Sequence, residues 1–104
     1  MGKIAFAYIT NPDRKTARKV AVLLLKKKLA ACANIFPIES IYLWKGKMRN
    51  EKEVVLIAKT SGSRFPALKK EVEKMHPYEV PCIIKIPVQA NEKYAKWILS
   101  EIKE

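Results

Sequence analysis

Five apolar side chains follow one another without a break from Val54 to Ala58, inside the segment EVVLIAKT. In an extended chain, successive side chains point to opposite faces, so Val54, Leu56 and Ala58 lie on one side and Val55 and Ile57 on the other. A sheet covered on one face only would alternate apolar with polar residues. Two more segments break that alternation: Ile41 and Leu43 oppose Tyr42 and Trp44, and Ile83 opposes Cys82 and Ile84. The fold must therefore find cover for both faces of a sheet.

The segments around these runs read as a compact series of elements. Residues 3–10 are β-branched and aromatic, and Asn11-Pro12 predicts an N-cap followed by proline at the first helical position. Ala17, Val20, Ala21, Leu24 and Leu25 then recur at helical spacing, a stripe that lasts to about Leu29. Ala31 to Ile35 and Ile38 to Trp44 read as extended, interrupted by Pro37, which an edge or a bulge tolerates. Lys45-Gly46-Lys47 supplies a turn, and Glu51 to Thr60 returns as the second arm of a long hairpin. After Ser61-Gly62-Ser63, the spacing of Phe65, Leu68, Val72 and Met75 predicts a second helix, capped near Ser63 with Pro66 in its first turn. Cys82 to Val88 is a fourth strand, and Asn91 caps a third helix with Tyr94, Trp97, Ile98 and Ile102 on one side.

The order βαββαβ plus one helix is an α+β, ferredoxin-like plan, and residues 1–104 read as a single domain without repeats or a linker. Right-handed crossovers place the two main helices on one face of an antiparallel four-stranded sheet and leave the other bare. Leaving four or five large side chains in water there would forfeit about 1.5 to 3 kcal/mol each. Self-association through the sheet is the economical answer, and it suits a chain small enough that folding alone buries only roughly 60 to 70% of the unfolded surface. A closed homo-oligomer with sheets inward and helices outward is the expectation.

The chain carries 21 basic and 10 acidic residues, a formal charge of +11, which favours anionic partners in general without choosing among them. The run Lys26 to Lys28 falls where a helix ends and cations offset its dipole. Six apolar residues, Ile4 to Ile9, are too few for a signal core or a membrane span, so the expectation is a cytoplasmic protein with no membrane contact. Cys32 and Cys82 then read as reduced thiols.

The densest chemistry lies at His76-Pro77-Tyr78-Glu79-Val80-Pro81. Proline cannot continue the helix, so imidazole, phenol and carboxylate are held together at a rigid corner ahead of the fourth strand. Cys32 and His76 offer a thiolate and an imidazole, donors suited to copper or zinc, although two ligands fall short of a closed site. Against that stand plainer roles: Cys32 as a small apolar strand residue and His76 as a helix-terminal ring bonded to nearby carbonyls. Glu53 and Lys59 share a strand face, either as an intersubunit salt bridge or as part of a polar cleft, and Trp44 reads as an oligomer anchor.

LAACANI after the first helix, SIYLWKGK in the hairpin, EVVLIAKT, MHPYEVP and the Tyr94 and Trp97 pair occur in one order along the chain. Together they closely resemble the CutA family of divalent-cation tolerance proteins, over essentially the whole length. The resemblance implies a tight homotrimer similar in architecture to the PII signalling proteins, and a cytoplasmic role linked to copper and other divalent metals. It would place Cys32, Trp44, Glu53, Lys59, His76 and Tyr78 around clefts between subunits. Cys82 departs from the family pattern, which more usually has an acidic or small residue after the proline.

Two functions follow. The first is a cytoplasmic homotrimeric tolerance protein that binds copper or another divalent ion, with Cys32 and His76 as contacts. The second is a PII-like trimeric sensor that receives a small anion or a protein partner in intersubunit clefts. No nucleophile elbow or phosphate-cradling glycine loop is present, so the chain is not expected to be an enzyme. An RNA-reading sheet would display aromatics on its third strand, and EVVLIAKT has none, so nucleic acid is disfavoured as a partner.

Overall fold

The computed structural model describes residues 3–102. The elements run β1 (Ile4–Asn11), α1 (Arg14–Lys26), β2 (Cys32–Trp44), β3 (Lys47–Ser61), α2 (Phe65–Met75), β4 (Ile83–Pro87) and α3 (Glu92–Glu101). The sheet is antiparallel throughout with the order β2-β3-β1-β4, the arrangement expected of a ferredoxin-like α+β fold.

Helix α1 begins two residues later than expected. Asn11 is the last residue of β1 and is fully buried, so it has no freedom to cap. Asp13 does so instead, with extended backbone and Oδ1 accepting the Thr16 amide at 2.7 Å. That bond holds the Asp13 carboxyl below its ordinary range. The helix also ends earlier, at Lys26: Lys28 turns left-handed at φ 59°, while the amides of Leu29 and Lys28 bond the carbonyls of Leu24 and Leu25. This is a Schellman stop with lysine where glycine is usual, and Leu24 and Leu29 are both buried in the core beneath it.

Pro37 does not split β2, which pairs with β3 in one register from Cys32↔Lys59 to Trp44↔Lys47. Because β2 is an edge strand, the missing proline amide can face outward. Lys45 at φ 49° and Gly46 at φ 78° close the hairpin, the pair of left-handed residues that a tight two-residue turn requires. Only the part of β3 from Val54 onward also pairs with β1, so the segment from Ile38↔Glu53 to the turn stands out as a two-stranded arm. The domain measures 45 × 24 × 20 Å.

Ala7, Ile9, Leu56 and Ala58 pack with Ala17, Val20, Leu24, Leu68 and Val72 as the main core, which puts α1 and α2 on the same face. The opposite face is not bare, as the plan first suggested. Helix α3 contacts β1 and β3, and Tyr94 meets Lys59, whose side chain points away from α1 and α2. The apolar stripe of α3 drives this: Ile98 and Ile102 are wholly buried. The cover is incomplete, since Phe36, Ile84 and Ile86 on the same face remain 38%, 50% and 39% exposed.

Candidate functional site

The corner after α2 is locked to the sheet by its histidine. His76 is extended, as a residue before proline should be. Its Nδ1 accepts the Tyr78 amide at 3.2 Å, which leaves the ring proton on Nε2. Nε2 in turn lies 2.9 Å from the Thr10 carbonyl and 3.2 Å from Oδ1 of Asn11. Asn11 is oriented for this contact because its own Nδ2 donates to the carbonyls of Ile9 and Val54. Burial pushes the His76 imidazole below its ordinary pKa, opposed by the Thr10 carbonyl and the Glu53 charge.

Tyr78 stacks at a tilt on His76, with ring centroids 4.8 Å apart, and its phenol donates to Oε2 of Glu53 at 2.5 Å. Burial first, and the carboxylate second, raise the Tyr78 phenol above its usual range. The carboxylate partner of this corner is thus Glu53, across the sheet, and not the neighbouring Glu79. A second phenol repeats the arrangement, Tyr42 donating to Oε1 of Glu51. Residues 49, 51 and 53 share a face of β3 with Tyr42 and Trp44 across the hairpin, as the register requires.

Between the arm and the corner lies a cleft of about 860 Å3. Tyr8, Tyr42, Trp44 and Tyr78 furnish its aromatic walls. Glu39, Glu51, Glu53 and Glu79 line it as well, against Arg49 alone among the cations. Four of the chain's ten acidic residues and one of its 21 basic residues therefore meet here. That charge is the reverse of what a small anion needs, and Lys59, the cation expected beside such an anion, does not line this cleft.

The candidate residues fall into two groups. Trp44, Glu53 and Tyr78 line the cleft, with His76 as the buttress behind Tyr78. Cys32 instead pairs with Lys59, four residues along β3 from the Val55 that faces Thr10, or roughly 13 Å away at 3.3 Å per residue. There Lys59 donates to the Tyr94 hydroxyl at 3.0 Å and lies over the rings of Tyr94 and Phe6. Its ammonium is held above its usual pKa mainly by that bond, with burial opposing and the Cys32 sulfur adding a smaller favourable influence. Glu53 and Lys59 accordingly bond to different tyrosines rather than to each other.

One chain does not bring Cys32 and His76 together, and both nitrogens of His76 are engaged. Among the described residues, no three His, Cys, Asp or Glu side chains converge as a metal set. The sequence marks Asn11 only as a helix cap, and Tyr42, Arg49 and Glu51 are not among its candidate site residues. Counting outward from the Lys45-Gly46 turn would have found the last three, since it places them on the Trp44 face.

A family model described as "CutA1 divalent ion tolerance protein" matches residues 5–101. The chain is 45% identical over 94 residues to "Divalent-cation tolerance protein CutA" of Archaeoglobus fulgidus, covering 89% of this chain and 92% of that one. It is 43% identical over 99 residues to "Protein CutA" of Mus musculus, covering 93% of this chain and 56% of the mouse protein. The chain thus spans little more than half the length of that mammalian relative. Among solved structures, the "Periplasmic divalent cation tolerance protein CutA from Archaeoglobus fulgidus" superposes with a TM-score of 0.93 at 41% identity, over 95% of this chain and 98% of that one. CutA1 from Pyrococcus horikoshii gives 0.91 at 42% identity, over 96% and 99%.

Proposed function

The chain belongs to the CutA1 divalent ion tolerance family, and from that premise we propose that it works as a cytoplasmic homotrimer that binds copper or another divalent ion rather than as a catalyst. The observation that carries the assembly is the half-covered second face, where Phe36, Ile84 and Ile86 stay exposed beside α3. Fully burying each such side chain contributes about 1.5 to 3 kcal/mol, so further copies of the chain are the natural cover. A reducing compartment suits the unpaired thiols of Cys32 and Cys82.

Metal binding in this reading is a property of the assembly. Each copy brings a half-buried Cys32, a soft donor for copper, to the sheet face that the copies share. His76 can add a ligand only by releasing the Tyr78 amide from Nδ1 or the Thr10 carbonyl from Nε2. Cys32 is therefore the stronger of the two donors first considered.

Native mass spectrometry of wild type, Cys32→Ser and His76→Ala, with and without copper, tests both claims. The expected mass is three times that of the chain, with bound copper lost in Cys32→Ser and the trimer intact. A stable monomer would refute the assembly, and equal copper in all three proteins would refute the ligands. A second reading is a PII-like trimeric sensor that receives a small anion or a protein partner in clefts between subunits, near Glu53, Lys59, His76 and Tyr78.

A further inference from the structure

We infer that the outer face of α1 is a docking surface for an acidic amphipathic helix of a partner protein, one with apolar side chains along its centre and carboxylates on either side. This surface lies away from the sheet face that further copies cover, and its use is independent of copper. From Arg14 to Lys28 the chain places seven basic residues and no acidic one. Among the described residues, a single ion pair ties this stretch to a carboxylate, Lys27 to Glu71 at 2.8 Å. Asp13, just ahead of it, is occupied as the cap of the helix. Even the first turn, where the helix dipole favours an acid, has none.

The core fixes which way these charges point. Ala17, Val20, Ala21 and Leu24 are buried, so Lys15, Arg18, Lys19, Val22 and Lys26 fall on the opposite side of the helix, where all five are exposed. Both α1 and α2 pack on the sheet face that further copies do not cover, so this side stays open in the proposed assembly. Val22 is 49% and Leu25 39% exposed, and helical spacing surrounds Val22 with Arg18, Lys19, Leu25 and Lys26. An apolar centre with a charged rim is the anatomy of a protein interface, and the rim selects a partner of opposite sign. Phosphodiesters would gain nothing from that centre. The basic stripe is also one helix wide, because beside it α2 mixes Lys69, Lys70 and Lys74 with Glu71 and Glu73. A flat anionic membrane would meet those carboxylates as well, whereas a helix about 10 Å across fits along the roughly 18 Å from Arg14 to Lys26. A second copy of this chain, with 21 basic and 10 acidic residues, has the wrong sign.

The test uses the assembled full chain and a fluorescein-labelled helical peptide of Glu, Ala and Leu whose leucines form one stripe. A second peptide of the same composition, with the stripe scrambled, serves as the control for charge alone. In fluorescence anisotropy at about 150 mM salt, the striped peptide should bind saturably and about fivefold or more tightly than the scrambled one. Arg18→Glu should weaken binding by about fivefold or more, whereas Lys93→Glu, the same charge change on α3, should alter it by less than about twofold. Val22→Ser, which leaves the charge untouched, should weaken it by about threefold. Unchanged native mass and circular dichroism would show that each variant is folded and assembled, so a failure of the assembly is not confused with this one. Equal binding of the two peptides, or equal losses in Arg18→Glu and Lys93→Glu, would reduce the surface to a general positive field and overturn the inference. Competition by duplex DNA or by vesicles containing phosphatidylserine, stronger than by the striped peptide and abolished in Arg18→Glu, would assign the face to a different partner and overturn it too.

Discussion

The phenol of Tyr78 donates a 2.5 Å hydrogen bond to Glu53, fastening the corner after α2 to the point where the hairpin arm leaves the sheet. The arm and the corner are far apart in sequence, and this bond fixes the width of the cleft between them. Replacing Tyr78 with Phe removes the donor but keeps the ring on His76. The expected loss is about 1 to 2 kcal/mol in urea unfolding, with an unchanged m value. Amide exchange along the base of the arm should quicken.

His76 gives the chain a pH response with a definite sign. Its folded-state pKa is depressed below 6.5, chiefly by burial, so the unfolded chain takes up a proton first as pH falls. The stabilisation is complete above the unfolded value and drains away as pH drops through 6.5 toward the lower folded value. A second proton would also set Nδ1–H against the Tyr78 amide. Urea midpoints between pH 8 and 5 should fall for wild type and stay flatter for His76→Gln.

Asn11 is wholly buried and bonded through both ends of its amide, to Ile9, Val54 and His76. Asn11→Leu would strand the Val54 carbonyl and crowd the ring. The expected cost is about 2 to 4 kcal/mol, more than His76→Gln, as measured by denaturant midpoint.

The elements themselves were legible in the sequence because periodicity and turn chemistry are local. The Lys45-Gly46 turn, Pro66 at the start of α2 and the apolar stripe of α1 read correctly, except that Leu25 of that stripe is exposed. Asn11 misled because Asn-Pro has the composition of a cap, while burial in β1 commits its amide to long-range bonds. The seat of α3 on the second face was out of reach, since an amphipathic stripe does not say which surface it will meet. For the site, strand parity grouped Glu53 with Lys59 correctly, but their tyrosine partners come from segments remote in the chain. The plainer reading of His76, a ring bonded to a carbonyl, is the one the structure displays.

Ile84→Lys and Phe36→Lys place charge where the second face is still open, at positions 50% and 38% exposed in a single chain. Neither belongs to the core beneath α1 and α2. Both should leave circular dichroism nearly unchanged while shifting the native mass toward one chain, and thermal unfolding should lose the concentration dependence expected of the assembled wild type.

Lys59 ties α3 to the sheet through Tyr94. Lys59→Met keeps the methylene stem and removes the ammonium, so exchange protection across Glu92–Glu101 should fall while that of α1 holds.

The arm beyond Ile38↔Glu53 has a closed ladder and no third strand beside it. It is self-sufficient in hydrogen bonds but poor in shelter, with Leu43 and Met48 74% and 76% exposed near its tip. Its shape can form early, from the turn outward, while in the proposed assembly its burial would wait for another copy. Maturation would then run in two tempos, a quick one inside each molecule and a slower one paced by how often molecules collide.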